Sequence, residues 1–172
     1  TQNGIYKLRI LADTDGDSIP NTEDLDDDGD SIPDVVDVCP TEIGNSTQDV
    51  IGCPDQDGDG YSNNGDSFPK ESTQWNDTDS DGFGDNESGF RGDACPEGFG
   101  ESDKDRFGCE DNDGDGWSDE NDIFPYDSSQ WSDWDGDGFG DQFNGFEGDA
   151  CPADLGNSTK DRFGCVDTDG DG

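Results

Sequence analysis

Aspartates at fixed spacing are the residues of this sequence best placed to do chemistry. The segment DNDGDGWSDEND, residues 111–122, has carboxylates at its first, third, fifth, ninth and twelfth positions and glycine at its sixth. A single chain uses this spacing to wrap oxygen ligands around Ca²⁺, and the seventh residue then contributes its backbone carbonyl. Like charges this close repel one another, and a bound cation would relieve the repulsion. The segment therefore predicts a calcium loop.

Five further segments follow the same spacing. Three have the same length and are called short loops together with residues 111–122: DTDGDSIPNTED (13–24), DDDGDSIPDVVD (26–37) and DQDGDGYSNNGD (55–66). Two are called long loops, DTDSDGFGDNESGFRGD (77–93) and DWDGDGFGDQFNGFEGD (133–149), because a glycine-rich insertion delays their last carboxylate. A seventh loop is incomplete.

The predicted metal ligands are the first, third, fifth, seventh, ninth and last residues of each loop. In chain order they are Asp13, Asp15, Asp17, Ile19, Asn21 and Asp24; Asp26, Asp28, Asp30, Ile32, Asp34 and Asp37; Asp55, Asp57, Asp59, Tyr61, Asn63 and Asp66; Asp77, Asp79, Asp81, Phe83, Asp85 and Asp93; Asp111, Asp113, Asp115, Trp117, Asp119 and Asp122; Asp133, Asp135, Asp137, Phe139, Asp141 and Asp149; and Asp167, Asp169 and Asp171.

The loops belong to a tandem repeat of 56 residues. Cys39, Cys95 and Cys151 recur at this interval, as do the cysteines fourteen residues after each of them. The repeat predicts the following organisation: two short calcium loops in 13–38, repeat units in 39–94 and 95–150, and the truncated start of a third unit in 151–172. Residues 1–12 precede the loops, and their apolar run GIYKLRILA (4–12) predicts a β-strand, either from a preceding domain or for assembly with a neighbour.

Composition excludes an ordinary globular core. The 172 residues carry a formal net charge of −39 and are only 25% hydrophobic, which alone is typical of disordered chains. Regularly recurring cysteines and aromatic residues indicate instead a fold that something other than apolar burial organises. No helical or strand period of useful length lies between the loops. The predicted fold class is therefore irregular and mostly coil: a calcium-stabilised tandem-repeat rod with very little regular helix or strand, apart from the N-terminal β-strand.

Two other loop families share the DxDGDG core, but this sequence departs from both. An EF-hand or dockerin needs helices on either side of each loop, and the loops that start at Asp13 and Asp26 leave no room for them. The calcium-binding β-helix needs a GGxGxD run, which is absent. The runs DTDGDSIPNTEDLDDDGDSIPDVVDVCP and DTDSDGFGDNESGFRGDACP instead resemble thrombospondin type 3 repeats, particularly those of prokaryotic surface proteins.

The resemblance covers residues 13–172, and it implies a backbone wound around a string of Ca²⁺ ions. Because loops of that family can hold more than one ion, we expect about 6 to 12 Ca²⁺ in this segment. The FPxxxxQW linkers and the insertions before Asp93 and Asp149 depart from the animal repeats.

The cysteines predict disulfides and an oxidising location. A local bridge in each unit is the economical pairing, and the alternatives are bridges between units or a thiolate metal site, which the absence of CxxC spacing and of histidine disfavours. Disulfides imply an extracellular or cell-surface setting. The local pairs are Cys39 with Cys53, Cys95 with Cys109, and Cys151 with Cys165.

Four asparagines begin N-x-Ser/Thr sequons and are possible glycosylation sites in a secreted chain. They are Asn45, Asn76, Asn86 and Asn157, of which Asn45 and Asn157 share a repeat position.

Function follows from these features as an expectation. The chain has no histidine and no nucleophile beside a base, so we expect a structural protein and not an enzyme: a calcium-rigidified stalk, adhesin spacer or fibre segment. The alternatives are a self-assembling filament subunit and a glycan- or mineral-binding module. Expected partners are calcium, flanking domains of a longer chain and copies of the chain itself. Without an apolar run of roughly 20 residues we expect no membrane insertion, and with 8 basic residues we expect no nucleic acid unless Ca²⁺ bridges it.

Overall fold

The computed structural model describes residues 11–172, and these residues form almost no regular secondary structure. In this range there is no helix, and the one strand-like pairing is an isolated parallel bridge between Gly84 and Gly92. The predicted irregular fold is confirmed. The predicted strand at 4–12 lies outside the described residues except for its last two. No helix among residues 11–172 has the length and apolar character that a membrane span requires.

Polar groups occupy the interior of the described chain. The apolar residues that are buried in 11–172 are the second cysteines of the three bridges, Cys53, Cys109 and Cys165. The largest fully buried side chains are instead two glutamines, Gln74 and Gln130, and two aspartates, Asp93 and Asp149. Buried polar groups are stable only when they are hydrogen-bonded or bound to an ion. The fold therefore depends on how these groups are satisfied.

Three local disulfides provide covalent constraint. Each bridge spans 14 residues of sequence, as the spacing predicts: Cys39–Cys53, Cys95–Cys109 and Cys151–Cys165. A closed loop of about 15 residues contributes roughly 3 kcal/mol by restricting the unfolded chain. The segment inside each bridge is called the disulfide segment.

A buried serine and a glycine hold each disulfide segment closed. In the middle segment, Ser102 donates its backbone N–H to the Cys109 carbonyl, and its Oγ accepts the Cys109 N–H at 3.0 Å. Ser46 and Cys53 make the same pair of hydrogen bonds. A Cβ on Gly100 would lie 2.1 Å from the Cys109 carbonyl carbon and oxygen, so only glycine fits there.

The described residues form two compact units, which divide between Asn76 and Asp77. Within the second unit, the long loop 77–93 contacts the disulfide segment that follows it: Gly100 donates its N–H to Asp81 Oδ2, and the Phe83 and Phe107 rings stack 5.7 Å apart. The division therefore falls inside the repeat unit 39–94 and leaves this long loop with the disulfide segment it contacts.

The short loops 55–66 and 111–122 instead contact the disulfide segment that precedes them, whereas the short loop 26–37 contacts the one that follows it, where Gly44 donates its N–H to Asp30 Oδ2 at 3.0 Å. In the first compact unit, Asp49 accepts the N–H and the hydroxyl of Ser62 at 2.9 and 2.6 Å. In the second, Asp105 accepts the same two groups of Ser118 at 2.9 and 2.8 Å.

The seventh residue of several loops packs its aromatic ring against a neighbouring segment. Tyr61 stacks on Trp75 with ring centroids 5.5 Å apart, and Trp117 stacks on Trp131 at 6.3 Å. Both tryptophans belong to the FPxxxxQW linkers. These small stacked pairs replace a continuous apolar core.

The fourth and sixth residues of the loops adopt a left-handed backbone. The fourth residue has φ near +80° and is glycine in most loops, whereas the long loop 77–93 has Ser80 there, with φ +68°. At the matching position the second long loop has Gly136, whose φ is +80°. A residue with a Cβ is strained in this region, and glycine is not.

We expect Ser80→Gly to stabilise the protein and Gly136→Ser to destabilise it, each by about 1 kcal/mol, because a left-handed residue with a Cβ costs roughly that much. A Cβ on Gly136 would meet nothing within 4 Å, so the backbone strain acts alone. Urea unfolding in saturating Ca²⁺ measures both changes. A change of the same sign in the free energy of unfolding of both variants, or a destabilised Ser80→Gly with a stabilised Gly136→Ser, would contradict the assignment.

Candidate metal centres

Backbone amides fix one oxygen of each inward-facing carboxylate. In the loop 111–122, Asp111 Oδ1 accepts the Gly114 N–H at 2.8 Å, Asp113 Oδ1 accepts the Asp115 N–H at 3.2 Å, and Asp115 Oδ1 accepts the Trp117 N–H at 2.8 Å. The other five complete loops repeat these three bonds. One oxygen thus orients each of the third and fifth carboxylates, and the other oxygen of the fifth carboxylate accepts a glycine N–H in three loops, at Asp30, Asp81 and Asp137.

Many of these second oxygens are buried without a hydrogen bond. An unsatisfied buried oxygen is costly, and its repetition at matching loop positions calls for an explanation. The affected groups are Oδ2 of the third residue in five loops (Asp28, Asp57, Asp79, Asp113, Asp135), of the fifth residue in two (Asp59, Asp115) and of the last residue in three (Asp37, Asp93, Asp149), with Asp27 Oδ1 as the one outside this pattern. A hard cation fits such oxygens.

Each group of aspartates is also compact enough for a single ion. Its carboxylate oxygens lie within 4.8 Å of one another at the first, third and fifth positions, including Asp13, Asp15 and Asp17; Asp26, Asp28 and Asp30; Asp55, Asp57 and Asp59; Asp77, Asp79 and Asp81; and Asp111, Asp113 and Asp115. Ligand sets made only of oxygen suit Ca²⁺ or Mg²⁺ and do not suit softer metals. These loops could therefore hold a metal ion.

The seventh residue keeps its carbonyl available, as a ligand role requires. Among residues 11–172, none of the backbone–backbone hydrogen bonds uses the carbonyl oxygen of Ile19, Ile32, Tyr61, Phe83, Trp117 or Phe139. The incomplete loop begins in the same way, because Asp167 accepts the N–H groups of Gly170 and Gly172 at 2.8 and 3.0 Å.

The last aspartate returns to the same place in long and short loops. Its N–H donates to the carbonyl of the eighth residue, from Asp66 to Ser62 at 3.0 Å in a short loop and from Asp93 to Gly84 at 2.8 Å in a long one. All six complete loops make this bond. The last Oδ1 then accepts an N–H two residues further on, for example that of Cys95 at 2.7 Å. The insertion therefore loops out without displacing the closing carboxylate.

A buried glutamine holds the insertion of the long loop 133–149. Gln130 Nε2 donates to the Gln142 and Phe146 carbonyls at 3.1 and 3.2 Å, and Gln130 Oε1 accepts the Gln142 N–H at 3.0 Å. A Cβ on Gly140 would lie 2.0 Å from Gln130 Oε1, so the contact needs glycine. This role of Gln130 is not among the predictions from the sequence, although the Gln-Trp pair that recurs in the linkers indicates it.

The ninth residue, which is predicted to be a ligand, also makes hydrogen bonds within the loop. Asp119 Oδ1 accepts the Asn112 N–H at 2.8 Å, and the Asn112 side-chain amide donates to the other Asp119 oxygen. Equivalent bonds join the ninth residue to the second N–H in the other complete loops. Its oxygens thus tie the start of the loop to its end, and we expect the ninth residue to position the ligands and not to bind the ion directly.

Burial raises the pKa of several loop carboxylates when no ion is bound. Burial raises the pKa of Asp93, one backbone hydrogen bond lowers it, and the charges of Asp81, Asp79 and Asp85 add to the increase, so that the pKa is about 6. Burial likewise raises the pKa of Asp113 and Asp122. These directions express the repulsion that a cation would relieve.

Asp105 shows the opposite behaviour in the same chain. Burial acts to raise its pKa, but hydrogen bonds from Asn121, Ser118 and Arg106 outweigh burial and lower the pKa to about 2. The difference is the supply of donors: Asp105 is satisfied by protein groups, whereas the loop carboxylates are not.

The sequon asparagines differ in accessibility. Asn45, Asn76 and Asn157 are exposed, and Asn86 is half-buried. Ser46 and Ser158, the middle residues of two sequons, are buried in the disulfide segments. Glycosylation at these sites stays a prediction.

Comparisons with known proteins give no family for this chain. No model of a protein family matches it, and no curated protein matches it. The resemblance to thrombospondin type 3 repeats therefore stays a prediction from the motifs.

We expect Asp113→Asn to remove ion binding at its loop and Asp119→Asn to preserve it. Asn at position 113 keeps an oxygen for the Asp115 N–H but removes the charge from the buried, unpartnered side of the carboxylate. Asn already stands at the ninth position in two loops, as Asn21 and Asn63. Calorimetric titration with Ca²⁺ compares the number of bound ions. Equal loss in both variants would refute the division between ligand and positioning residue.

Without ions, we expect the folded chain to gain stability as the pH falls. Asp93 has a pKa of about 6 when folded and roughly 3.9 when unfolded, so the folded state takes up the proton first. The gain begins as the pH falls through about 6 and is complete below roughly 4. Small-angle scattering in chelator should show a more compact chain at the lower pH.

The matched control for this pH effect is Asp93→Asn, which cannot titrate at that position and should show a weaker pH dependence. Expansion of the ion-free wild-type chain on acidification would contradict the sign.

Proposed function

We propose that this protein is a calcium-binding structural repeat, a segment of an extracellular or cell-surface stalk, spacer or fibre that bound Ca²⁺ makes rigid. The observation that carries the proposal is the set of buried, unpartnered carboxylate oxygens at matching positions of successive loops. A solvated acidic tail would have no reason to bury the same oxygens in each repeat. The three disulfides fit an oxidising compartment.

Different residues of each loop have different roles in the proposed metal centre. The third, fifth and last carboxylates supply charge and oxygen, the seventh residue supplies a carbonyl, and the first and ninth residues hold the backbone in the loop conformation through the hydrogen bonds described above. A bound Ca²⁺ would supply the positive charge that the chain lacks. Because the ion binds only the ordered loop, its binding free energy is part of the folding free energy.

Calcium is favoured over magnesium by the number and flexibility of the ligands. Ca²⁺ accepts six to eight oxygens in variable geometry, whereas Mg²⁺ requires a smaller, near-octahedral shell and retains water. Affinities of roughly 10⁻⁴ to 10⁻³ M, typical of extracellular modules, would keep the loops loaded outside the cell.

Small-angle scattering with a Ca²⁺ titration tests the proposal. We expect the disulfide-bonded chain to be expanded in chelator, because 47 acidic residues face only 8 basic ones. Added Ca²⁺ should convert it reversibly to a stiffer and better-defined particle, and equal Mg²⁺ should not.

The filament alternative predicts a distinct result in this experiment. A rise in mass together with ordering would favour the filament subunit over the spacer. An unchanged scattering profile across the titration would overturn the structural role of the ions.

A further inference from the structure

A small aromatic cavity in the second compact unit is lined in part by the long loop 133–149 but by none of that loop's predicted carboxylate ligands. Its volume is about 220 Å³, and Phe124, Phe139 and Phe146 line it together with Asp127 and Glu147. Phe146 is 69% exposed, so the cavity opens to solvent. Aromatic faces next to carboxylates form a favourable environment for an organic cation.

The preceding repeat holds an arginine against Phe83, the ring that corresponds to Phe139 of this cavity. Arg91 stands 56 residues before Glu147, at the same repeat position. Its guanidinium carbon lies 5.1 and 5.0 Å from the ring centroids of Phe83 and Phe107. The corresponding rings of the next repeat, Phe139 and Phe163, keep a similar separation of 5.9 Å. The second repeat therefore has a carboxylate, Glu147, at the position where the first repeat has Arg91.

The backbone at this position supports a role for the side chain. Arg91 has φ +49° and Glu147 has φ +50°, a region in which side chains are strained and glycine is not. Both repeats nevertheless have a long charged residue there. Its charge, and not the loop backbone, is what differs between the two repeats.

We infer that the cavity at Phe139, Phe146 and Glu147 binds an arginine side chain presented by a basic partner protein. Phe139 would take the guanidinium face, as Phe83 takes that of Arg91 in the preceding repeat, and the Glu147 and Asp127 carboxylates would neutralise its charge. A net charge of −39 attracts a basic polypeptide. The same charge disfavours a second copy of this chain, which would bring its own acidic surface with it.

The test uses the Ca²⁺-loaded chain with labelled phenylalanine rings and a blocked Gly-Arg-Gly peptide, followed by NMR. We expect the peptide to shift the Phe139 and Phe146 signals, and the same peptide with uncharged citrulline to leave them unchanged. Glu147→Arg should weaken binding about tenfold or more, because the introduced arginine fills the cavity and reverses its charge. Glu97→Arg is the control, since it makes the same charge change at an exposed position of the same compact unit.

A reciprocal variant keeps the inference falsifiable if Glu147→Arg disturbs the loop. Arg91→Glu should create a second site, seen as new peptide-dependent shifts at Phe83 and Phe107. Absence of shifts in the wild-type chain, or equal weakening by Glu147→Arg and Glu97→Arg, would overturn the inference and leave only diffuse attraction between charges. Equal shifts with citrulline would overturn the requirement for a cation.

Discussion

Repulsion between closely spaced, partly buried carboxylates is the constraint on which the rest of this structure depends. The chain places aspartates two residues apart and then removes one oxygen of many of them from water. In a protein of ordinary composition, burial of apolar surface could offset such a cost. Here the buried residues are mainly polar, so no apolar core is available to do so. The cations that we propose would offset this cost by supplying positive charge.

The loop backbone orients the carboxylates toward the place of the proposed cation. Each amide donor takes one oxygen of a carboxylate and directs the other inward, and the left-handed fourth and sixth residues make this geometry possible. Asp105 and Asp49, which lie outside the loops, have their oxygens satisfied by serine donors, and their pKa values are lowered. Protein donors are thus available in this chain and are used elsewhere. Around many of the second carboxylate oxygens of the loops, by contrast, no such donor is present.

Much of this arrangement could be predicted from residue spacing, because the calcium-loop pattern and the disulfide pairs depend on contacts within about fifteen residues. The local bridges and the irregular fold are confirmed, for example at Cys95–Cys109. The role of the ninth residue could not be predicted, because an Asp at that place is equally suited to a metal ion and to a backbone N–H. The buried Gln130 was also missed, since its partners lie 12 and 16 residues away on an insertion without periodicity. Charge alone likewise did not distinguish Asp105 from the loop aspartates.

The hydrogen bond from the closing aspartate to the eighth residue separates the length of a loop from the geometry of its centre. Asp66 and Asp93 make the same bond, although the second has five more residues behind it. Chain can therefore be added or exchanged between the ninth residue and the closing aspartate while the ligands keep their places. The two long loops already differ there, with ESGFR in one and FNGFE in the other. A protein of this kind can vary its surface by changing these insertions while their two ends stay in place, much as an antibody domain varies loops on a constant framework.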